Sequence, residues 1–201
     1  MIKNIVFDIG QVLVDFRWRA YMEEDLKFPP EVVEQIAEKI VLTGMWDDLD
    51  LGIRDEAEVI EEMKSTLPAL RKETDIFFDG IVNLTATRPY STPWIKELKE
   101  KGYKVYLLSN YPKSYFEIHE RTHFDFTKYV DGKVVSGFEK LAKPDPAIYR
   151  LLFERYGLIP EECVFLDDRA ENISAAAKLG MNTILFISYE NAKAALDALL
   201  A

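Results

Sequence analysis

Ile2-Lys3-Asn4-Ile5-Val6-Phe7-Asp8-Ile9-Gly10 is a short apolar run that stops at a carboxylate and a glycine. Ile2 to Phe7 is rich in β-branched and aromatic residues, as in a strand buried on both faces. The pattern returns three times. Tyr103 to Leu108 ends at Ser109-Asn110, Cys163 to Leu166 ends at Asp167-Asp168, and Asn182 to Ile187 forms the fourth run. Amphipathic helical stretches lie between them. Pro93 to Lys101 has Thr92 as its expected cap and Gly102 as its stop, and Pro146 to Gly157 and Ala170 to Gly180 end the same way. This alternation predicts an α/β fold, a Rossmann-like parallel sheet with helices on both faces. Ligands bind such sheets beyond the carboxyl ends of the strands, so Asp8, Ser109 and Asp167-Asp168 are expected on one rim.

One segment breaks the alternation. From about Phe16 to Arg88 the chain is strongly charged and helical in pattern, with no convincing strand. Pro29-Pro30 with Glu31 to Leu42 reads as one helix and Asp55 to Thr66 as another. The expectation is an inserted α-helical cap over residues 16–88, with residues 1–15 and 89–201 forming the α/β core.

Composition narrows the function. The 201 residues carry 25 Lys+Arg against 35 Asp+Glu, a net charge of −10, with nothing resembling the basic stripe that neutralises nucleic-acid phosphates. A phosphorylated small molecule stays open, because a bound cation reverses the local field. A 48% apolar fraction is ample for a folded core. No apolar run is long enough for a membrane span and the first residues do not fit a signal peptide, so a soluble, cytoplasmic protein is expected. The single cysteine, Cys163, sits inside an apolar run and reads as a buried structural thiol.

Four short motifs fall at strand ends or in the loops just beyond. In Phe7-Asp8-Ile9-Gly10-Gln11-Val12-Leu13, an aspartate and a glycine turn can present a carboxylate and bare amides to an anion. Leu107-Leu108-Ser109-Asn110 offers a hydroxyl and an amide. Lys143-Pro144-Asp145-Pro146 places a lysine just before a proline-started helix. Phe165-Leu166-Asp167-Asp168-Arg169-Ala170-Glu171-Asn172 sends adjacent carboxylates into a helix.

Taken in order, these motifs resemble those of the haloacid dehalogenase superfamily, and the insertion resembles that family's helical cap. The resemblance implies a covalent aspartyl intermediate, with Asp8 attacking phosphorus in line. It implies Mg²⁺ held by Asp8, the carbonyl of Gly10, and Asp167 or Asp168. Lys143 would neutralise phosphate and Asp8 as a point charge. Ser109, Asn110 and the amides near Ile9 and Gly10 would bind the remaining phosphate oxygens. Asn172 would brace the loop of the fourth motif.

The chain departs from the family at one position. Most phosphatases of this type carry a second aspartate two residues after the nucleophile as general acid and base, and here Gly10 stands there. Such a group contributes about 10²–10⁴-fold. Three accounts follow. The first is a sugar phosphatase of the Asp-x-Gly kind, acting on glucose-1-phosphate-like substrates, with water, a cap residue or the substrate handling the proton. The second is a metal-independent 2-haloacid dehalogenase, and the third a non-catalytic member that only binds a metabolite or protein. The pair Asp167-Asp168 favours the first, because adjacent carboxylates suit a divalent cation and oppose departure of a halide.

Other residues have a structural reading beside the functional one. Asp15 is expected at the hinge to the cap. His119 and His123, four apart, are expected to be solvated or packed, with no carboxylates to complete a metal site. Trp46, Trp18, Arg19 and Arg88 are ambiguous between packing and lining a substrate pocket.

Overall fold

The structure is a computed structural model that describes residues 1–201. Seven strands form two sheets. In chain order they are β1 Asn4–Phe7, β2 Val14–Phe16, β3 Thr85–Thr87, β4 Lys104–Ser109, β5 Gly132–Val135, β6 Cys163–Asp167 and β7 Asn182–Leu185. The main sheet is parallel in the order β5-β4-β1-β6-β7, with β1 at its centre. Alternate residues face opposite sides. Ile5, Phe7, Val105, Leu107, Val164 and Leu166 share one core layer, while Val6, Tyr106, Leu108, Cys163 and Phe165 share the other. That two-sided burial is the physical origin of the continuous apolar runs.

Nine principal helices accompany the strands: α1 Pro30–Ile36, α2 Met45–Leu51, α3 Glu56–Ser65, α4 Arg71–Asp79, α5 Ser91–Glu100, α6 Lys113–Thr122, α7 Pro146–Tyr156, α8 Ala170–Lys178 and α9 Tyr189–Leu200. Helices α5 and α9 cover the first face through Trp94, Leu98 and Leu196, and α7 and α8 cover the second through Ile148, Leu152 and Ala176. Asp145 caps α7 by accepting from the Ala147 amide at 2.8 Å, and Gly157 ends it with φ +64°. Thr92 is not the cap of α5. That helix begins one residue earlier, and Ser91 Oγ donates to the Leu13 carbonyl at 2.6 Å, pinning the helix start to the first loop.

The inserted segment packs around its own apolar cluster, which includes Tyr21, Ile36, Leu49, Met63, Phe77 and Leu84. Helix α1 widens into a π-helical turn over Ala37–Val41, and Asp55 caps α3 through the Ala57 and Glu58 amides. Three strands, Val14–Phe16, Thr85–Thr87 and Gly132–Val135, depart from the sequence expectation. Thr85–Thr87 lies within the segment expected to hold none and pairs antiparallel with Val14–Phe16, forming a two-stranded neck where the chain leaves and re-enters the core. β5 carries Gly132 and Lys133 at its start and lies at the sheet edge. Three- and four-residue strands are too short for a period of two to register. No helix is long and apolar enough to cross a membrane.

Candidate active site

Parallel register builds the site. Phe7 is paired with Leu166 on one side and Leu107 on the other, so the next residues, Asp8 and Asp167, emerge side by side. The Asp8 amide donates to Leu166 O at 2.9 Å and closes the last rung of the ladder. Beyond it the chain turns sharply. The Leu13 and Val14 amides both donate to Ile9 O at 2.9 Å, and Gln11 adopts φ +57°. This turn brings Gly10 and Gln11 to the wall of a cavity.

Lys143 joins the two carboxylates. Its Nζ lies 2.7 Å from Asp8 Oδ1 and 2.7 Å from Asp167 Oδ2, and all three side chains are buried. Asn110 holds the lysine in place: its Nδ2 donates to Lys143 O at 2.9 Å, and its Oδ1 accepts from Lys143 N at 2.8 Å. The side chain expected on phosphate is therefore committed to the lysine backbone, although Asn110 still lines the cavity. Asp167 Oδ1 accepts from the Arg169 amide at 2.8 Å, and Asn172 Nδ2 donates to both Asp167 oxygens at 3.0 and 3.1 Å. Asn172 thus braces the acidic loop. Ser109 is fully buried beside Asp8, and the Ile9 amide donates to Asp8 Oδ1 at 2.7 Å.

One lysine does not balance three carboxylates. Oxygen atoms of Asp8, Asp167 and Asp168 lie within 4.8 Å of one another. Burial pushes the Asp8 carboxyl up to about 6, with Lys143 opposing and Asp167 adding to the rise. Burial and Asp167 likewise raise Asp168. Burial alone would lower Lys143, but Asp8 and Asp167 hold it above its ordinary value. An all-oxygen donor set with surplus negative charge fits a hard divalent cation such as Mg²⁺, with Asp8 and Asp167 or Asp168 as its ligands.

The cavity has a volume of about 240 Å³ and a mixed lining. Asp8, Gly10, Lys143, Asp168 and Arg169 contribute to it, together with the apolar and aromatic side chains of Val14, Phe16, Trp46, Leu84, Tyr111 and Tyr115. Of these, Phe16, Trp46, Leu84 and Tyr115 belong to one apolar cluster. His119 and Thr85 line the cavity too, but their polar atoms are largely engaged. Tyr111 Oη and His119 Nδ1 are 2.7 Å apart, and His119 Nε2 lies 3.0 Å from Val82 O and 3.5 Å from Thr85 Oγ1. Burial lowers the His119 pKa.

Sequence patterns alone leave several lining residues unassigned. Trp46 does line the cavity, and so do Asp47, Asp50, Phe16, Tyr111 and Tyr115, which no motif marks as lining. Asp50 stands in the acidic run Asp47-Asp48-Leu49-Asp50, where nothing distinguishes one carboxylate from the next. His119 is packed, not solvated. Other candidates lie elsewhere. Arg88 points to Gln11 Oε1 at 3.3 Å and to Asp15 at 3.7 Å, at the neck. Arg19 lies over the Trp18 ring at 4.9 Å and pairs with Glu34 at 2.7 Å.

A family model for haloacid dehalogenase-like hydrolases matches residues 2–180. Among curated relatives, the chain is 26% identical to the sesquiterpene phosphatase astK of Aspergillus oryzae, over 89% of this chain and 87% of that protein. It is 27% identical to a phosphorylated carbohydrates phosphatase of Thermotoga maritima, over 98% of this chain and 91% of that protein. A mouse relative, acyl-CoA dehydrogenase family member 10, is 34% identical over 58% of this chain, but the match spans only 11% of that longer protein. Among solved structures, a HAD family enzyme of Bacteroides thetaiotaomicron in complex with magnesium and inorganic phosphate superposes with a TM-score of 0.73. Its identity is 26%, over 92% of this chain and 93% of that one.

Proposed function

The chain belongs to the haloacid dehalogenase-like hydrolases, and from that we propose that it is a Mg²⁺-dependent phosphatase that hydrolyses a small phosphomonoester through an aspartyl-phosphate on Asp8. The observation that carries this reading is the convergence of three carboxylates, Asp8, Asp167 and Asp168, around a single buried lysine. A halide-expelling site gains nothing from that surplus negative charge. A site that must accept a phosphate dianion beside a carboxylate nucleophile needs a cation, and these residues supply its ligands. The magnesium and phosphate bound by the Bacteroides relative support the same reading.

In this reading Asp8 attacks phosphorus while Lys143 offsets charge on Asp8 and on the phosphoryl oxygens. Ser109 and the Gly10 amide complete the oxygen contacts, while the Ile9 amide is held on Asp8 itself. Asn110 positions Lys143, and Asn172 positions Asp167. When bound, Mg²⁺ screens nucleophile from phosphate and polarises the phosphoryl group. Residues 16–88 serve as a cap on the core of residues 1–15 and 89–201, shielding the site from bulk water and shaping the leaving-group pocket.

The Thermotoga phosphorylated carbohydrates phosphatase supports a sugar phosphate as substrate, and glucose-1-phosphate is the candidate of that class to test. The apolar and aromatic side chains in the cavity lining favour a second reading, an ester of an apolar or aromatic alcohol. Burying sugar hydroxyls against Phe16, Trp46, Leu84 and Tyr115 leaves them short of partners, a cost of about 1–3 kcal/mol for each. The sesquiterpene phosphatase relative is consistent with this alternative. Phosphate release from glucose-1-phosphate, phenyl phosphate and n-octyl phosphate, each with and without Mg²⁺, decides between the two. Either reading requires turnover that needs Mg²⁺ and vanishes in Asp8→Asn. Turnover of 2-chloropropionate in EDTA would instead establish a dehalogenase.

A further inference from the structure

We propose that Asp50 is the general acid and base of this site, giving its proton to the leaving oxygen and later taking one from the attacking water. The inference rests on the phosphatase reading above and addresses the proton that Gly10 cannot carry.

The space beside the nucleophile is open. A Cβ built on Gly10 meets no atom within 4 Å, so nothing from the first loop occupies the position from which an acid would work. Asp50 lines the same cavity as Asp8, Gly10 and Lys143, but reaches it from the inserted segment, at the last turn of α2. Of the two α2 carboxylates there, Asp47 is exposed and Asp50 is half-buried.

The core fixes the backbone from Asp50 onward. Ser136 Oγ donates to the Asp50 carbonyl. Two residues on, Gly52 turns the chain with φ +65°, so close to the core that a Cβ there would stand 2.7 Å from Gly137 O. Glu56, the first residue of α3, accepts from the backbone amide and the hydroxyl of Ser114. The stretch from Asp50 to Glu56 is therefore seated on the core, which holds the Asp50 backbone at the wall of the cavity that Asp8 also lines.

The charges facing Asp50 come from several elements. Asp47 lies on its own helix, Asp8 follows β1, Lys143 precedes α7 and Arg169 follows β6. The two cations act on it through space only. Burial, reinforced by Asp47 and Asp8, pushes its carboxyl up to about 8, toward the protonated form. A protonated carboxylic acid lining the cavity is suited to donating to a leaving alkoxide.

Atoms and protons balance over two steps. Asp8 Oδ forms a bond to phosphorus as the phosphorus–oxygen bond to the leaving group breaks, and the departing oxygen takes the Asp50 proton to become an alcohol. Water then attacks the aspartyl-phosphate, and its proton passes to the Asp50 carboxylate. The Asp8–phosphorus bond breaks, releasing inorganic phosphate and restoring both side chains.

The test compares the full chain with its Asp50→Asn variant, with Mg²⁺, on p-nitrophenyl phosphate and n-octyl phosphate. A p-nitrophenolate leaves without a proton and an alkoxide does not. Asp50→Asn should lower single-turnover cleavage of the alkyl ester by about 10²–10⁴-fold. Release of p-nitrophenol in the first turnover should fall less than tenfold and then stall in a burst, because the second step has lost its base. Asp50→Glu should recover part of the alkyl-ester rate. A Gly10→Asp change made in the Asp50→Asn chain should recover it too, by supplying a carboxyl from the open position. An equal loss on both esters, or none on the alkyl ester, would overturn the assignment while leaving the phosphatase reading intact. If the unaltered chain cleaves neither ester nor the sugar phosphate, both fail together. A variant that does not fold is recognised by its melting curve, and the Gly10→Asp change in the unaltered chain then decides. It should leave alkyl-ester cleavage within a fewfold if Asp50 already serves, and a gain of a hundredfold or more would overturn the proposal.

Discussion

Lys143 Nζ stands 2.7 Å from Asp8 Oδ1, and both side chains are almost completely shielded from solvent. The same ammonium lies 2.7 Å from Asp167, so one cation bridges two buried anions. Removing it in Lys143→Met would leave Asp8 and Asp167 facing each other with no positive charge between them. Breaking a buried pair in this way costs on the order of 3 kcal/mol. Urea unfolding at pH 7 without metal should register that loss, and much of it should disappear by pH 4, where Asp8 is protonated. An unchanged denaturation midpoint at pH 7 would contradict the bridging role.

Asp8 itself makes the metal-free protein sensitive to pH. Its folded pKa, raised to about 6 by burial, exceeds the unfolded value of 3.8. The folded state therefore binds the Asp8 proton more tightly, and stability present below about pH 4 is lost as pH rises through about 6. Asp8→Asn should flatten this part of the stability profile measured in EDTA. It should also abolish phosphate release without unfolding the chain, since the asparagine keeps the volume of the side chain. A variant with the original slope between pH 4 and 6 would place the titration elsewhere.

Much of the fold and part of the site are legible in the sequence for the same reason. Strands buried on both faces need unbroken apolar runs, and those at Asn4–Phe7, Lys104–Ser109 and Cys163–Asp167 stop where the chain reaches the polar rim. The ends of the runs therefore mark Asp8, Ser109 and Asp167 as rim residues by residue order alone. The apolar wall carries no such mark. Phe16 and Tyr115 lie about a hundred residues apart and come to line one cavity only through tertiary packing on a shared apolar cluster. Asp50 is illegible for another reason. Its environment is set by the seat of α2 on Ser136 and Gly137, a tertiary contact with no local pattern. The role of Asn110 is obscured in the same way, because its clamp reaches across 33 positions to Lys143.

Asn172 offers a test of metal binding that leaves every carboxylate in place. Its amide donates to both oxygens of Asp167 and fixes the plane of that carboxylate. Hydrogen bonds that orient a metal ligand typically matter by about 10–100-fold in affinity. Asn172→Ala should raise the Mg²⁺ concentration needed for half-maximal activity by that factor, while kcat at saturating Mg²⁺ changes less. Titration of Mg²⁺ against thermal stability should move in parallel, since a ligand at 100 times its Kd adds about 2.7 kcal/mol. An unshifted Mg²⁺ midpoint would show that Asp167 orients without this amide.

His119 should impose an acid limit on stability. It is buried against Tyr111 and Val82, and burial lowers its pKa below the ordinary 6.5. Below about pH 6.5 the unfolded chain takes up a proton that the folded chain resists, so this contribution is complete above that value and lost as pH falls. His119→Gln should reduce the loss of melting temperature between pH 7 and pH 5, although losing the Tyr111 contact lowers the melting temperature at pH 7. Parallel profiles for the two proteins would refute the assignment.

Gly52 is the position at which backbone geometry alone tests the seat of α2. Its φ of +65° disfavours any residue with a Cβ, and that atom would come 2.7 Å from Gly137 O. Gly52→Ala should therefore cost more than the roughly 1 kcal/mol of the left-handed conformation alone, because the close approach must also open. Relief comes by lifting the end of α2 from the core, which loosens the hydrogen bond from Ser136 to Asp50. Ser136→Ala removes that hydrogen bond directly without touching the glycine. Both variants should slow hydrolysis of alkyl esters more than that of p-nitrophenyl phosphate, since both displace the acid and neither alters Asp8. If Gly52→Ala lowers the melting temperature but slows the two esters equally, the seat of α2 serves stability alone.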